Sequence, residues 1–406
     1  MNFVVFYFEV HQPSRLRRYT FFDIGVRDQY FDDTENARIV RRVAEKCYLP
    51  MNDLLLEVIA RYKGRFRCAF SISGIALDQM QQWCPEALES FVRLSKTGCV
   101  EFLAETTHHS LASLFDGEEF DLQVKRHSQR IEKLFGRRPT VFRNTELLLS
   151  NEIARRVEEL GFEGILGEGA DHLLGWRSPH LLYRPEHCES IRVLLRSYRL
   201  SDDLSFRFGD QGWSEWPLTA EKFASWLHAL RASDPLIGLF MDYETFGEHH
   251  ARDTGIFEFM RHLPAAVLKN RRFRFATPSE VLSELDPIAR LDIPHPVSWA
   301  DHERDLSAWL GNHMQRSANE ALYSLVPFVR KAESEGHSEL ASRWRKLTTS
   351  DHLYYMSTKW LSDGAVHKYF SPYASPHDAF IAFMNVVDDL HRRLKRAAPS
   401  RPVLVS

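Results

Sequence analysis

Eight apolar, β-rich runs recur through the first 280 residues, separated by segments with helical spacing. The runs fall at 3–10, 65–73, 99–105, 139–144, 163–169, 190–197, 236–242 and 272–278. The intervening segments that predict helices are 36–63, 85–96, 119–135, 151–160, 220–232 and 255–268. Thr219 stands where a helix starting at Ala220 needs its cap, and Gly98 and Gly161 sit just past helix ends, where a left-handed residue is required. Near-continuous apolar strands alternating with helices indicate a parallel sheet covered on its other face. About seven or eight such units favour a closed or nearly closed barrel over an open sheet. The stretch 169–190, rich in Trp, Pro and His, is expected to run over the top of it.

Past Pro287 the pattern changes. Periodicity becomes helical over 301–335, 338–358 and 377–395, after a proline-clustered "DPIARLDIPHPVSW". The expected organisation is therefore a barrel-like α/β unit over 1–285, a linker over 286–300 and an α-helical domain over 301–398. The last residues, "AAPSRPVLVS", read as a loose tail.

Several apolar runs end in ionisable groups. "LIGLFMDYETFGEHH" passes from a buried strand into Asp242, Glu244, Glu248, His249 and His250. Just past the first run come Glu9, His11 and Gln12, and with the third come Glu101, Glu105, His108 and His109. The fourth is followed by Arg143, Asn144 and Glu146, and the fifth by Glu168, Asp171 and His172. In parallel β/α folds the loops at the carboxyl ends of the strands build one shared face. Carboxylates and imidazoles collected at that end mark a polar site. Composition narrows its chemistry. The 406 residues are 44% hydrophobic and 26% charged with a formal net charge of −3, which gives no footprint for nucleic acid or an anionic membrane. Nine Trp suit a cleft that stacks sugar rings. Five Cys without a CxxC pair read as reduced, mostly buried thiols of a cytosolic protein, with neither a disulfide framework nor a Cys-based zinc site. The N-terminal "MNFVVFYFEVHQP" lacks a basic leader and is too short to span a bilayer.

A cleft of carboxylates and aromatics without a phosphate-binding Gly loop suggests glycoside chemistry, which needs two carboxyl groups flanking the bond. The residues also carry a resemblance. "HQP", "VEFLAETTHHSL", "VFRNTELLL", "GLFMDYETFGEHH" and "FATPSEV" occur in the order and spacing of the five conserved regions of glycoside hydrolase family 57, most like its α-amylase-type members. Farther on, "ERDLSAWLGNHMQRSA", "DHLYYMSTK" and "HKYFSPYASPHDAFIAFMN" resemble that group's helical domain, so the likeness spans residues 3 to about 385. It implies an incomplete parallel (β/α)7 barrel followed by an α-helical domain that helps shape the cleft. The nucleophile would be Glu146 and the general acid/base Asp242. His11, Glu105 and His109 would line the sugar subsite, and Glu244 would orient groups around Asp242. No metal or cofactor is implied. The substrate would be starch, glycogen or a maltooligosaccharide, cleaved at α-1,4 bonds with retention of configuration.

Plainer readings stand beside these. Glu146 could stabilise a helix N-terminus, Asp242 could form a turn, and His11 could satisfy backbone groups. Adjacent strand positions face opposite ways, so one of His108 and His109 enters the cleft, with His109 preferred, and His249 and His250 are loop residues. Trp213 and Trp216 stack on sugar or fill core equally well, whereas Trp309 matches a family segment facing the cleft. Arg143 points away from Glu146 if its strand stays regular, which leaves its role open. Alternative functions are a 4-α-glucanotransferase, a metal-dependent polysaccharide deacetylase or mannosidase-like hydrolase on a related barrel, and a glycan-binding protein without turnover. A zinc site could recruit His11, His109 and Asp242, although no HxxxH or HxD spacing supports it. Loss of activity with a strong chelator would discriminate. Nothing in the sequence indicates the oligomeric state.

Overall fold

The computed structural model describes residues 1–359 and 371–397. The expected tail from residue 398 onward, and the first four residues of the "HKYFSPYASPHDAFIAFMN" segment, lie outside the described residues.

Ten strands form a single mixed sheet among the described residues. They are β1 (Asn2–Val10), β2 (Cys68–Ile72), β3 (Val100–Phe102), β4 (Val141–Arg143), β5 (Gly164–Glu168), β6 (Tyr183–Pro185), β7 (Arg192–Arg196), β8 (Leu236–Asp242), β9 (Phe273–Phe275) and β10 (Ala289–Leu291). All eight expected runs contain a strand. Pairing is parallel throughout except between β6 and β7. The ladder runs β1, β2, β3; Ala104, just past β3, bridges Phe142 on β4; β4, β5, β7 and β8 follow, and β8 returns to β1. Two seams of this circuit are thin: the single Ala104–Phe142 bridge and the single Arg196–Gly238 pair between β7 and β8.

β1 lies at the centre and is buried along its whole length. It is bordered by β8 on one side and, on the other, by β9 at its start and β2 at its end. A strand enclosed by neighbours and covered on both faces cannot carry polar residues before its exit, which is why "FVVFYFEV" is apolar up to Glu9. Tyr7, Leu103, Leu147, Leu166, Leu194 and Phe240 belong to one core cluster inside this sheet.

Two compact units are present. The first comprises Met1–Gln12, Ala37–Thr107 and Asp121–Trp299; the second comprises Pro13–Asn36, His108–Phe120 and Ala300–Ser406. This differs from the boundaries read along the chain. Residues 286–300 are not a bare linker, because Ala289–Leu291 forms β10 beside β6. The stretch 169–190 likewise holds a short helix, Asp171–Leu174, and β6. Both strands are three residues long, with proline inside β6 and two residues before β10, so neither has enough period to be read as a strand from sequence. In the second unit the helices Ser307–Leu310, His313–Tyr323, Val326–Ser334, Ser338–Leu347, Ser350–Tyr354 and Pro376–Ala397 occupy the stretches with helical spacing. There a buried arginine, Arg345, is gripped by Glu119 at 2.8 Å and Glu333 at 2.7 Å.

The expected helix over 36–63 is instead Asp33–Val43, one π-turn at Ala44–Tyr48, and Leu49–Arg61. Thr219 caps the helix Ala220–Ala229 by accepting from the Lys222 N–H at 3.2 Å. No helix among the described residues is long and apolar enough to cross a membrane. All five cysteines are buried and free.

Candidate active site

The ladder registers put chemistry-bearing residues side by side. Glu9, at the exit of β1, is level with Ser71 on β2 and with Asp242 at the end of β8. Directly paired residues on neighbouring strands face the same side, and strands lie about 4.8 Å apart. Glu9 and Asp242 are therefore neighbours by construction. The Tyr7 hydroxyl donates to Glu9 Oε2 at 2.7 Å and lies 2.6 Å from the Ser71 hydroxyl.

Arg143 is fully buried and forms an ion pair with Glu9 at 2.8 Å. Its Nη1 also lies 3.9 Å from Glu105 Oε2. Burial opposes its charge, but Glu9, Tyr7, Glu105 and Glu146 hold its pKa above the ordinary arginine value. The expectation that Arg143 points away from Glu146 is corrected here. It presumed a regular strand, but β4 stops at Arg143. Glu146 and Leu147 then adopt left-handed backbone, with φ of 56° and 52°. That turn swings Glu146 back towards the guanidinium.

Such backbone is costly for residues with a Cβ, about 1–2 kcal/mol each, and here it is tied down from several sides. The N–H of Leu147 donates to the Asn144 carbonyl at 2.9 Å, and that of Leu148 to the Thr145 carbonyl at 3.0 Å. The Asn144 side-chain amide donates to the Leu148 carbonyl at 3.0 Å. Thr145 and Thr106 share a 2.9 Å hydroxyl contact. Trp299 completes the turn: its indole N–H donates to Glu146 Oε2 at 2.7 Å. Its ring lies against both the Arg143 guanidinium, 4.9 Å away, and that of Arg196, 5.7 Å away.

Asp242 is partly buried at its strand end. Burial, with Glu9 and Glu146 adding repulsion, pushes its pKa up to about 7, against the opposing pull of Arg143 and Arg196. Glu244 is pushed up to about 8 by burial and by Asp242. It accepts hydrogen bonds from the Tyr48 hydroxyl and from Gln12 Nε2, the latter at 3.3 Å. Tyr48 ends the π-turn noted above, a local widening of the helix of the kind that often accompanies functional sites.

His11 contacts the Ser73 hydroxyl through Nδ1 at 2.7 Å. Glu105 is fully buried, and its backbone N–H donates to His127 Nδ1 at 3.1 Å. The opposite nitrogen of His127 donates to the Ile72 carbonyl at 2.9 Å. One accepting and one donating nitrogen define a neutral imidazole, and burial pushes its pKa down to about 4.

The structure thus gathers Glu146, Asp242 and Glu105 around Arg143 and Glu9 in the first unit, with Glu244 beside Asp242. His109 belongs to the second unit. It is buried with φ of 50°, and its carbonyl accepts the Ser350 N–H at 3.0 Å. Trp309 is a fully buried core side chain of that same unit, edge-on to Tyr354 at 6.2 Å, rather than an exposed stacking surface. Trp213 packs edge-on against Trp226 at 6.1 Å on the helix Ala220–Ala229. His250 is a packing residue, bonded to the Ser205 carbonyl at 3.0 Å.

Four participants escaped the reading of the sequence. Trp299 and Tyr48 lie in a proline-rich stretch and a helix, far along the chain from the groups they hold, and no local signal marks them. His127 sits inside an amphipathic helix. Arg196 could have been found, since it ends an apolar strand as Asp242 does. It is buried between Glu168 at 3.1 Å and Asp202 at 2.6 Å.

Comparison with known proteins adds identity to this geometry. A family model described as "Glycosyl hydrolase family 57" matches residues 5–294. A Methanocaldococcus jannaschii protein provisionally named an alpha-amylase is 42% identical over 97% of this chain and 85% of its own length. The branching enzyme of Thermococcus kodakaraensis superposes with a TM-score of 0.69 over 100% of this chain and 96% of that one, at 14% identity. The 4-alpha-glucanotransferase of Thermococcus litoralis gives 0.59 over 91% of this chain at 18% identity, and this chain spans 54% of its length. At those identities the two solved structures speak for the fold alone.

Proposed function

The chain belongs to glycosyl hydrolase family 57, and from that premise we propose that it cleaves α-1,4-glucosidic bonds in starch, glycogen or maltooligosaccharides with retention of configuration. The circuit of parallel strands β1–β2–β3–β4–β5–β7–β8, with its two thin seams, is read as the family's incomplete (β/α)7 barrel. The helices after residue 300 are read as its helical domain.

Retaining hydrolysis needs one carboxyl ionised and one protonated at the same pH. Glu146 is assigned the ionised role, because it lies in the field of the Arg143 guanidinium and accepts the Trp299 N–H. Asp242 is the protonated one, because burial and the carboxylates Glu9 and Glu146 disfavour a further negative charge. The observation that carries the reading is the difference in surroundings: an indole donor and a guanidinium beside Glu146, burial and two carboxylates beside Asp242. In the first step Asp242 gives its proton to the glycosidic oxygen as the C1–O bond breaks, while Glu146 attacks C1 and forms a glycosyl ester. The shortened chain leaves with the new hydroxyl. In the second step the Asp242 carboxylate takes a proton from water, whose oxygen attacks C1 and releases Glu146. A sugar hydroxyl in place of water would give transfer instead, from the same intermediate. Glu105 and His11 are assigned to the sugar beside the bond, and Glu244 to orienting Asp242.

The test is turnover of amylose by Glu146→Gln and Asp242→Asn. Each should lose activity by several powers of ten, every tenfold being about 1.4 kcal/mol of barrier. Near-parental activity in either variant would overturn the assignment. Full activity after treatment with a strong chelator is expected as well, and its loss would favour a metal-dependent hydrolase.

A further inference from the structure

A tryptophan that takes no chemical step in the two-carboxylate scheme donates directly to Glu146. We propose that Trp299 is a positioning residue for the reaction, holding the Glu146 carboxylate in its attacking orientation through a single N–H. The inference rests on the reading of Glu146 as nucleophile and deepens it.

Three observations carry it. First, Trp299 grips Glu146 twice. Its indole N–H donates to Oε2 at 2.7 Å, and its backbone N–H donates to the Glu146 carbonyl at 3.3 Å. The side-chain bond fixes the carboxylate while the main-chain bond fixes the left-handed turn beneath it. An indole has one polar atom and it can only donate. It therefore favours the ionised carboxylate over the carboxylic acid.

Second, the ring is itself clamped. The guanidinium carbons of Arg143 and Arg196 lie 4.9 Å and 5.7 Å from its centre. Both arginines are anchored by buried acids, Glu9 for the first and Glu168 for the second. A cation over an indole face is attracted by the ring's quadrupole. The donor thus has little freedom to swing away from Oε2.

Third, the chain leading to Trp299 is laced to the chain leaving Glu146. Leu149 and Val297 exchange backbone hydrogen bonds at 3.0 and 2.9 Å. Asn151 donates through its side-chain amide to Asp292 at 2.7 Å and accepts the Ile293 N–H at 2.9 Å. Its backbone N–H donates to the Ile293 carbonyl at 2.9 Å. Residues 292–299 therefore act as a strap that delivers one indole N–H to one carboxylate. A tryptophan serving only as filler would need none of this.

The decisive variant is Trp299→Phe, which keeps an aromatic ring in place and removes the donor. Turnover of a maltooligosaccharide should fall about 10- to 100-fold in kcat with KM within about threefold of the parent, as expected for a lost preorganised donor. The acidic limb of kcat/KM should also move to higher pH, because the carboxylate loses a bond that favoured its charged form. Should the Phe variant fold poorly, β-(3-benzothienyl)alanine at position 299 supplies the same shape with sulfur in place of N–H, and the same changes are expected. Parental kcat in a folded variant overturns the proposal. So does a reduced kcat with an unmoved acidic limb, which would make Trp299 a packing residue. Glu146→Gln is assayed alongside: if it stays active, the nucleophile assignment itself has failed; if it is inactive while the position-299 variants are parental, only this inference has.

Discussion

Asp242 owes its raised proton affinity first to burial and then to the negative charges of Glu9 and Glu146. The same cause has a consequence for stability. Its pKa is raised from 3.8 to about 7, so between those values the folded chain binds a proton that the unfolded chain releases. Its contribution is fully present below the unfolded value and is lost as pH rises through about 7. Glu244 shifts in the same direction, relieved in part by the Tyr48 and Gln12 hydrogen bonds. Asp242→Asn removes the buried charge at alkaline pH. Inactive though it should be, this variant is expected to melt at least roughly 2 °C above the parent at pH 8. The gain should shrink towards pH 4. Thermal melts at the two pH values check this, and an equal or lower melting point at pH 8 would mean that Asp242 is not a strained, proton-hungry group.

At the scale of elements, the turn after β4 matters most. Two successive left-handed residues, Glu146 and Leu147, stand against a local cost, and Asn144 is the side chain that closes the turn onto Leu148. Asn144→Ala should destabilise the protein by about 1–3 kcal/mol. It should also lower kcat at least tenfold with little change in KM, because a carboxylate displaced by about 1 Å loses its line of attack. Denaturant unfolding and steady-state kinetics measure both, and a variant that is destabilised but fully active would separate the turn from the chemistry. This turn also shows what was legible in the sequence. The apolar runs located the strands, because a strand covered on both faces leaves a continuous signal. The acidic residues at their ends pointed to carboxylates that the structure places near Arg143 and Asp242. The reversal that turns Glu146 towards Arg143 was invisible, since "RNTEL" contains no glycine to announce positive φ. Trp299 was equally hidden: its partner lies far away in sequence, and its own stretch read as a linker. The short strands β6 and β10 failed for want of length.

At the scale of the molecule, the groups described around Glu146 and Asp242 come from several strand ends and one strap of the first unit. His109 and Trp309 belong to the second unit, in which the buried Arg345 pairs with Glu119 and Glu333. The central claim is that one carboxylate of the first unit carries the sugar between two half-reactions. The measurement that reaches it most directly is covalent capture. A fluorinated maltosyl fluoride that enters the first half-reaction and stalls in the second should add one glycosyl mass to the intact chain, and peptide mapping should place it on Glu146. An adduct on a different residue, or turnover that releases the inverted anomer with no adduct at all, would contradict the account.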